Sequence, residues 1–236
     1  MSHSEHFSRQ YDSDLEDIRS RVLQMGGLVE SQIQSAIECF ATGDYDLIAR
    51  VIETDHRVNA YEVEIDDACT HVIARRQPAA RDLRLIMAVS KIVTDLERVG
   101  DEAEKIARAS RQIYERGRLQ IPRSADVRHA GGLAVVMLRR VLDAMARLDA
   151  AEAEKIIADD ATIDDEFRSI VRQLITYMME DPRTISTALD IVWIAKAIER
   201  IGDHAENIAE QVIYIVRGTD VRHTGGERKA GPAADD

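Results

Sequence analysis

From Leu15 onward, apolar residues return every three or four positions: Ile18, Val22, Met25, Val29, Ile33, Ile37 and Phe40. That spacing lays them on one face of an α-helix. Gly43 then stops the helix and Asp44 caps the next one. A second helix carries Ile48, Val51, Val58, Ile65, Cys69 and Val72, and ends before Pro78, which cannot continue the hydrogen-bond ladder. A third runs from about Ala80 to Arg116 through Leu85, Val89, Ile92, Leu96, Val99, Ala103 and Ile106. After the punctuated stretch 117–126 the pattern predicts three more helices, over about 127–148, about 151–179 and, beyond Pro182, up to about Arg217. Residues 219–236 have no periodicity and many small or polar residues, so a disordered tail is expected there.

The two halves repeat. Gly26-Gly27-Leu28 matches Gly131-Gly132-Leu133 at an offset of 105 residues, as Asp55 and Asn59 match Asp160 and Asp164. Glu97-Arg98-Val99-Gly100-Asp101 matches Glu199-Arg200-Ile201-Gly202-Asp203 at an offset of 102. A duplicated unit of three amphipathic helices with short connections predicts an all-α protein of two tandem antiparallel three-helix bundles, six long helices in all. The expected repeats are residues 8–117 and 123–218. The glycine pairs are read as places where helices pack closely or kink, not as ligand loops.

Composition narrows the function. The formal charge is −12, which excludes a nucleic-acid binder driven by phosphate contacts and suits a protein that attracts cations or basic partners. The two cysteines, Cys39 and Cys69, form no metal-type spacing and are expected to be buried reduced thiols. The first residues carry no basic segment followed by an apolar run, so no signal peptide is expected. No apolar run approaches about 20 residues, so no membrane span is expected either.

The repeated acids share a position on their helices. At about 100° per residue, Glu97, Asp101 and Glu104 fall on one face of the third helix, at the border of its apolar stripe. Glu199, Asp203 and Glu206 do the same on the sixth. On the second helix Asp55, Asn59, Glu62 and Asp66 also border the stripe, and on the fifth Asp160 and Asp164 follow suit. Phe167 stands where the first half has Glu62. Measured from the intervening proline turns, the acidic rows of adjacent helices come level. Glu97 and Asp101 are expected opposite Asn59 and Glu62, and Glu199 and Asp203 opposite Asp164 and Asp160. Facing carboxylates repel, and a hard cation with oxygen ligands relieves that repulsion. The candidate metal ligands are therefore Asp55, Asn59, Glu62, Glu97 and Asp101 in one half, and Asp160, Asp164, Glu199 and Asp203 in the other. Carboxylate-only ligation suits Mg, Ca, Mn or Fe, whereas zinc normally wants His or Cys. The competing reading is a solvated acidic face.

An oxidase built on Glu-x-x-His pairs is disfavoured. Glu53 and His56 point away from the acidic face, and their repeat mates are Ala158 and Ala161. No P-loop and no nucleophile–base set can be nominated, so no enzyme activity is expected.

The segments beginning at Asp55 (DHRVNAYEVEID), Asp95 (DLERVGDEAEKIA) and Ala197 (AIERIGDHAENIAE) together resemble the signature of the PhoU family over residues 8–217. The resemblance implies two similar three-helix bundles, commonly dimeric, acting in the cytoplasm as a negative regulator of phosphate uptake and of the phosphate-starvation response. It implies two partners, the ATPase subunit of the phosphate transporter and a sensor histidine kinase. It also implies iron or zinc at the Glu97-x-x-x-Asp101 and Glu199-x-x-x-Asp203 motifs of some members. Phe167 departs from the repeat and implies that the two sites are not equivalent.

Overall fold

The computed structural model describes residues 3–78, 80–117 and 123–221. They form six long helices, α1 (His3–Thr42), α2 (Tyr45–Arg76), α3 (Ala80–Glu115), α4 (Ser124–Arg147), α5 (Ala150–Glu180) and α6 (Ile185–Arg217), with a short 3-10 turn at Pro182–Thr184 before α6. The expected all-α architecture of six helices is what forms. The tail beyond residue 221, expected to be disordered, lies outside the described residues.

Each helix ends where the sequence removes the means to continue. Gly43 adopts a left-handed φ of 68°, and Asp44 Oδ1 accepts from the backbone N–H groups of Asp46 (2.9 Å) and Leu47 (3.0 Å). One repeat later the same device recurs. Leu148 takes a φ of 54°, and Asp149 Oδ1 accepts from Ala151 (3.1 Å) and Glu152 (3.0 Å). The turn thus demands the left-handed conformation at this place even where the residue is not glycine. Asp181 caps the turn before α6 through Arg183 N (3.0 Å).

α1 packs on α2 and α3, and α4 on α5 and α6; the halves meet where α3 runs along α6 and α1 crosses α4. One apolar core runs through both halves, from Ile18 and Val22 to Val212 and Ile215. Cys39 and Cys69 are buried free thiols within it, and burial pushes their pKa values up to about 11 and about 12. Such thiols stay protonated and unreactive.

The α1/α4 crossing explains one glycine of each pair. A Cβ on Gly26 would lie 2.5 Å from Leu142 Cδ2, and one on Gly131 would lie 2.5 Å from Ile37 Cδ1. Residues 37 and 142 stand one repeat apart, as do 26 and 131, so the crossing has the twofold pseudosymmetry of the duplication. Gly27 and Gly132 face open space, with nothing within 4 Å of a built Cβ. Gly27→Ala and Gly132→Ala should therefore each stabilise the protein by up to about 1 kcal/mol, the helix-propensity difference. Gly26→Ala should be neutral or destabilising, because Leu142 must move to admit it. Urea unfolding of these three single alanine variants checks the contrast. Equal gains at Gly26 and Gly27 would contradict the close crossing.

Candidate metal centre

The acids of the repeated phrase sit where α3 faces α2 and where α6 faces α5. The glycine between Glu97 and Asp101 makes this approach close. A Cβ on Gly100 would lie 3.2 Å from Val58 Cγ1 and 3.4 Å from Asp55 Oδ1. Its mate Gly202 is 3.1 Å, on the same measure, from both Asp160 Oδ1 and Ile163 Cδ1. The phrase therefore pairs a contact glycine with an acid at the next position.

In the second half the expected residues come together. Asp160, Asp164 and Asp203 each offer a carboxylate oxygen, and these oxygens lie within 4.8 Å of one another. Burial, reinforced by Asp203, Asp164 and Glu199, pushes the Asp160 pKa up to about 6. Burial and Glu199 also raise that of Asp203. Glu206 belongs to the same field: burial first, then Asp160, pushes it up to about 7. Three oxygens at this spacing, with the Asp160 and Asp203 carboxyls resisting ionisation, offer part of the oxygen set that a hard divalent cation takes.

The first half is built differently. Asp55 is buried at 5% exposure, deeper than a surface row implies. Its Oδ1 accepts from Gln32 Nε2 (3.4 Å) and its Oδ2 from Asn59 Nδ2 (3.2 Å). Asn59 thus spends its Nδ2 on Asp55, while its buried Oδ1 has no protein partner. Burial raises the pKa values of Asp55, Glu62 and Glu97, and each of these groups feels Asp101. Glu62 also accepts from Thr94 Oγ1 (3.3 Å). The five residues expected at this site do share one field; Asp55 and Glu62 accept from neutral groups, whereas in the second half Asp164 accepts from Arg168 (2.8 Å) and Glu199 from Lys196.

Phe167 is not the only asymmetry. Lys196 is the repeat mate of Thr94. Its ammonium bonds Glu199 and lies 5.4 Å from the centre of the Phe167 ring. Losing the Glu62 carboxylate and gaining a lysine are thus two parts of one local change, in which a cation packs on an aromatic face. The lysine engages Glu199, whose carboxylate is not in the aspartate trio. Sequence reasoning did not select Lys196, although comparing the repeats position by position exposes it. Glu206 and Glu104 had appeared on the helical wheel. Glu104 is paired with Arg108 at 2.6 Å. His204, adjacent to Asp203, turns the other way, and its Nδ1 donates to Asp95 Oδ1 of α3 (2.9 Å).

Asp160 and Glu206 hold protons more tightly folded than unfolded. Their stabilising protonation is complete below the ordinary carboxylate range and is lost as pH rises through about 6 to 7. The chelator-treated protein should therefore lose melting temperature between about pH 5 and pH 8, and saturating divalent cation should flatten that slope. Thermal unfolding across this range checks it. A metal-free profile that rises with pH would refute the assignment of repelling acids.

Six helices in two repeats, with carboxylates gathered between the second and third helix of each, define a duplicated helical bundle with acid-lined seams. The PhoU domain matches this chain twice, over residues 22–110 and 127–212, and the chain belongs to the PhoU family. It is 51% identical over 221 residues to the phosphate-specific transport system accessory protein PhoU homolog of Pseudomonas aeruginosa, covering 93% of this chain and 90% of the relative. It is 46% identical over 224 residues to the phosphate-specific transport system accessory protein PhoU of Escherichia coli, covering 95% and 92%. The crystal structure of PhoU from Pseudomonas aeruginosa superposes with a TM-score of 0.85 at 50% identity, covering 89% of this chain and all of that one. The phosphate transport system regulatory protein PhoU from Streptococcus pneumoniae gives 0.82 at 26% identity, covering 89% and 99%. No described helix is long and apolar enough to cross a membrane.

Proposed function

We propose that this chain is an accessory and regulatory protein of phosphate transport that works by contact, not by turnover. It restrains phosphate uptake and the phosphate-starvation response by joining the transporter's ATPase subunit to a sensor histidine kinase on the cytoplasmic side. It does so as a homodimer of two-repeat chains, the repeats being residues 8–117 and 123–218. Divalent or trivalent metal ions (Fe, Zn, Mg or Mn) bind at the two carboxylate clusters. In the second, Asp160, Asp164 and Asp203 are ligands with Glu199 beside them. In the first, Glu97, Asp101 and Glu62 are ligands, with Asp55 and Asn59 holding the seam.

The observation that carries this reading is that a chain about half identical to accessory proteins of this transport system gathers the carboxylates of Asp160, Asp164 and Asp203 in one seam. Metal supplies charge neutralisation, tying two helices of each repeat in one arrangement. A pull-down with the purified ATPase subunit and the kinase, with and without chelator, tests it. Capture of both partners is expected, weakened by chelator. Capture of neither overturns the regulatory reading, and capture indifferent to chelator separates the metal from partner binding.

A further inference from the structure

A polar cleft of about 420 Å³ opens along the seam between α3 and α6, beside the first-half acids Glu62 and Glu97, whose charge Arg98 feels across the helix. From α3 it is lined by Lys91, Asp95 and Arg98, with Ser90 and Thr94 at its edge, and from α6 by Asn207, Glu210 and Gln211. The inference drawn from it stands apart from the regulatory reading above.

Positions 91, 95 and 98 fall on one face of α3, so an acid lies between two bases. Arg98 makes no hydrogen bond or ion pair among the described residues. Lys91 makes none either, and its ammonium rests 5.9 Å from the Tyr214 ring centre. The duplication supplies an internal comparison. Arg200, the repeat mate of Arg98, is bound to Glu102 at 3.1 Å, and the mate of Glu102 is His204. Arg98 has thus lost the carboxylate that its counterpart keeps. The mates of Lys91, Asp95 and Gln211 are Trp193, Ala197 and Ala109, so the cleft belongs to one side of the seam only.

The acceptors are as well defined as the cations. Asp95 Oδ1 accepts from His204 Nδ1 (2.9 Å) and Asn207 Nδ2 (3.3 Å), which fix the carboxylate in place. Gln211 is 4% exposed, and its buried Oε1 has no partner. A buried acceptor without a donor is costly and calls for one. An anion spanning Lys91 and Arg98 must pass over Asp95. A fully deprotonated anion would be repelled there, whereas one carrying its own O–H would donate to Asp95 or to Gln211 Oε1.

We propose that this cleft binds a compact tetrahedral oxyanion that keeps a proton at neutral pH, of which hydrogenphosphate is the small representative. Lys91 and Arg98 hold the negative oxygens, and Asp95 with Gln211 accepts the remaining O–H. Sulfate has the same shape and charge but carries no proton in this range, so the acceptors exclude it. Ser90 Oγ donates to Asp66 (2.8 Å) and Thr94 Oγ1 to Glu62 (3.3 Å). These two bonds join the edge of the cleft to the acids of the first half.

Calorimetric titration of the full chain, held in chelator, with inorganic phosphate, sulfate, a phosphate monoester and a zwitterionic amino acid decides the matter. Saturable binding of phosphate is expected, at least about tenfold tighter than sulfate or the proton-free monoester. Arg98→Gln and Lys91→Gln should each weaken it by about tenfold or more, while leaving the helical circular dichroism unchanged. Four results overturn the proposal: no saturable phosphate binding, equal binding of sulfate, binding indifferent to both substitutions, or binding of the amino acid alone. Phosphate that binds only when chelator is omitted and metal is present also overturns it, since it then bridges a metal at the carboxylates.

Discussion

Replacing Asp160 and Asp203 together by asparagine will weaken divalent-cation binding at the second cluster by on the order of 100-fold or more, and will make the metal-free protein more stable. Both effects have one cause. The trio with Asp164 places three carboxylate oxygens within 4.8 Å of one another, in a partly desolvated seam. Without a cation, part of that charge is suppressed by protonation, which is why Asp160 is pushed up to about 6. Each pK unit corresponds to about 1.4 kcal/mol at full ionisation, so removing the two charges should return on the order of 2–3 kcal/mol near neutral pH. For a chain of this size that is a rise of roughly 4–12 °C in melting temperature. Asparagine keeps the shape and an oxygen, so the helices should still pack. Direct metal analysis after equilibrium dialysis, beside thermal unfolding in chelator, reads both effects. A variant that keeps its cation complement, or that melts lower without metal, would show that the trio is not the ligand set. The cluster around Glu97 and Asp101 stays intact in this variant and should retain its own cation.

Gly43→Ala should cost about 3–4 kcal/mol and roughly 6–16 °C in melting temperature. Gly43 has a φ of 68°, which costs an L-residue about 1–2 kcal/mol. A Cβ built there also lies 2.4–2.6 Å from three ring carbons of Tyr114. That ring cannot swing away freely, because Tyr114 Oη donates to the carbonyls of Phe40 (3.2 Å) and Ala41 (3.1 Å) at the end of α1. Moving it sacrifices that one shared hydrogen bond, worth about 1 kcal/mol, and disturbs the ring's packing at a cost of about the same size. Gly117→Ala is the control: its φ is 70°, but nothing lies within 4 Å of a built Cβ. It should lose only the conformational part. Equal losses at the two positions, by urea unfolding, would mean that the Tyr114 contact contributes nothing.

The helices were legible because periodicity is a local property, and the register was legible because two chains leaving one proline turn rise at the same rate. This was enough to bring Asp203 opposite Asp160 and Asp164. It failed on Asp55, whose place at the stripe border is compatible with solvent or interior. Its burial depends on Gln32 reaching across from α1. It missed Lys196 for a similar reason: a lysine at a helix border reads as solvated until its neighbour proves to be Phe167.

By itself, then, the sequence determined six helices, their duplication, the caps at Asp44 and Gly43, and which acids share a face, since all of these follow from order and spacing along one chain. Tertiary structure alone decided how the halves join, with Gly26 against Leu142 and Gly131 against Ile37. It alone decided which carboxyls are desolvated enough to hold protons and which cations at the α3/α6 seam make no hydrogen bond or ion pair among the described residues. Those properties depend on distances between side chains far apart in sequence and on water excluded by neighbouring helices, and no single helix contains that information.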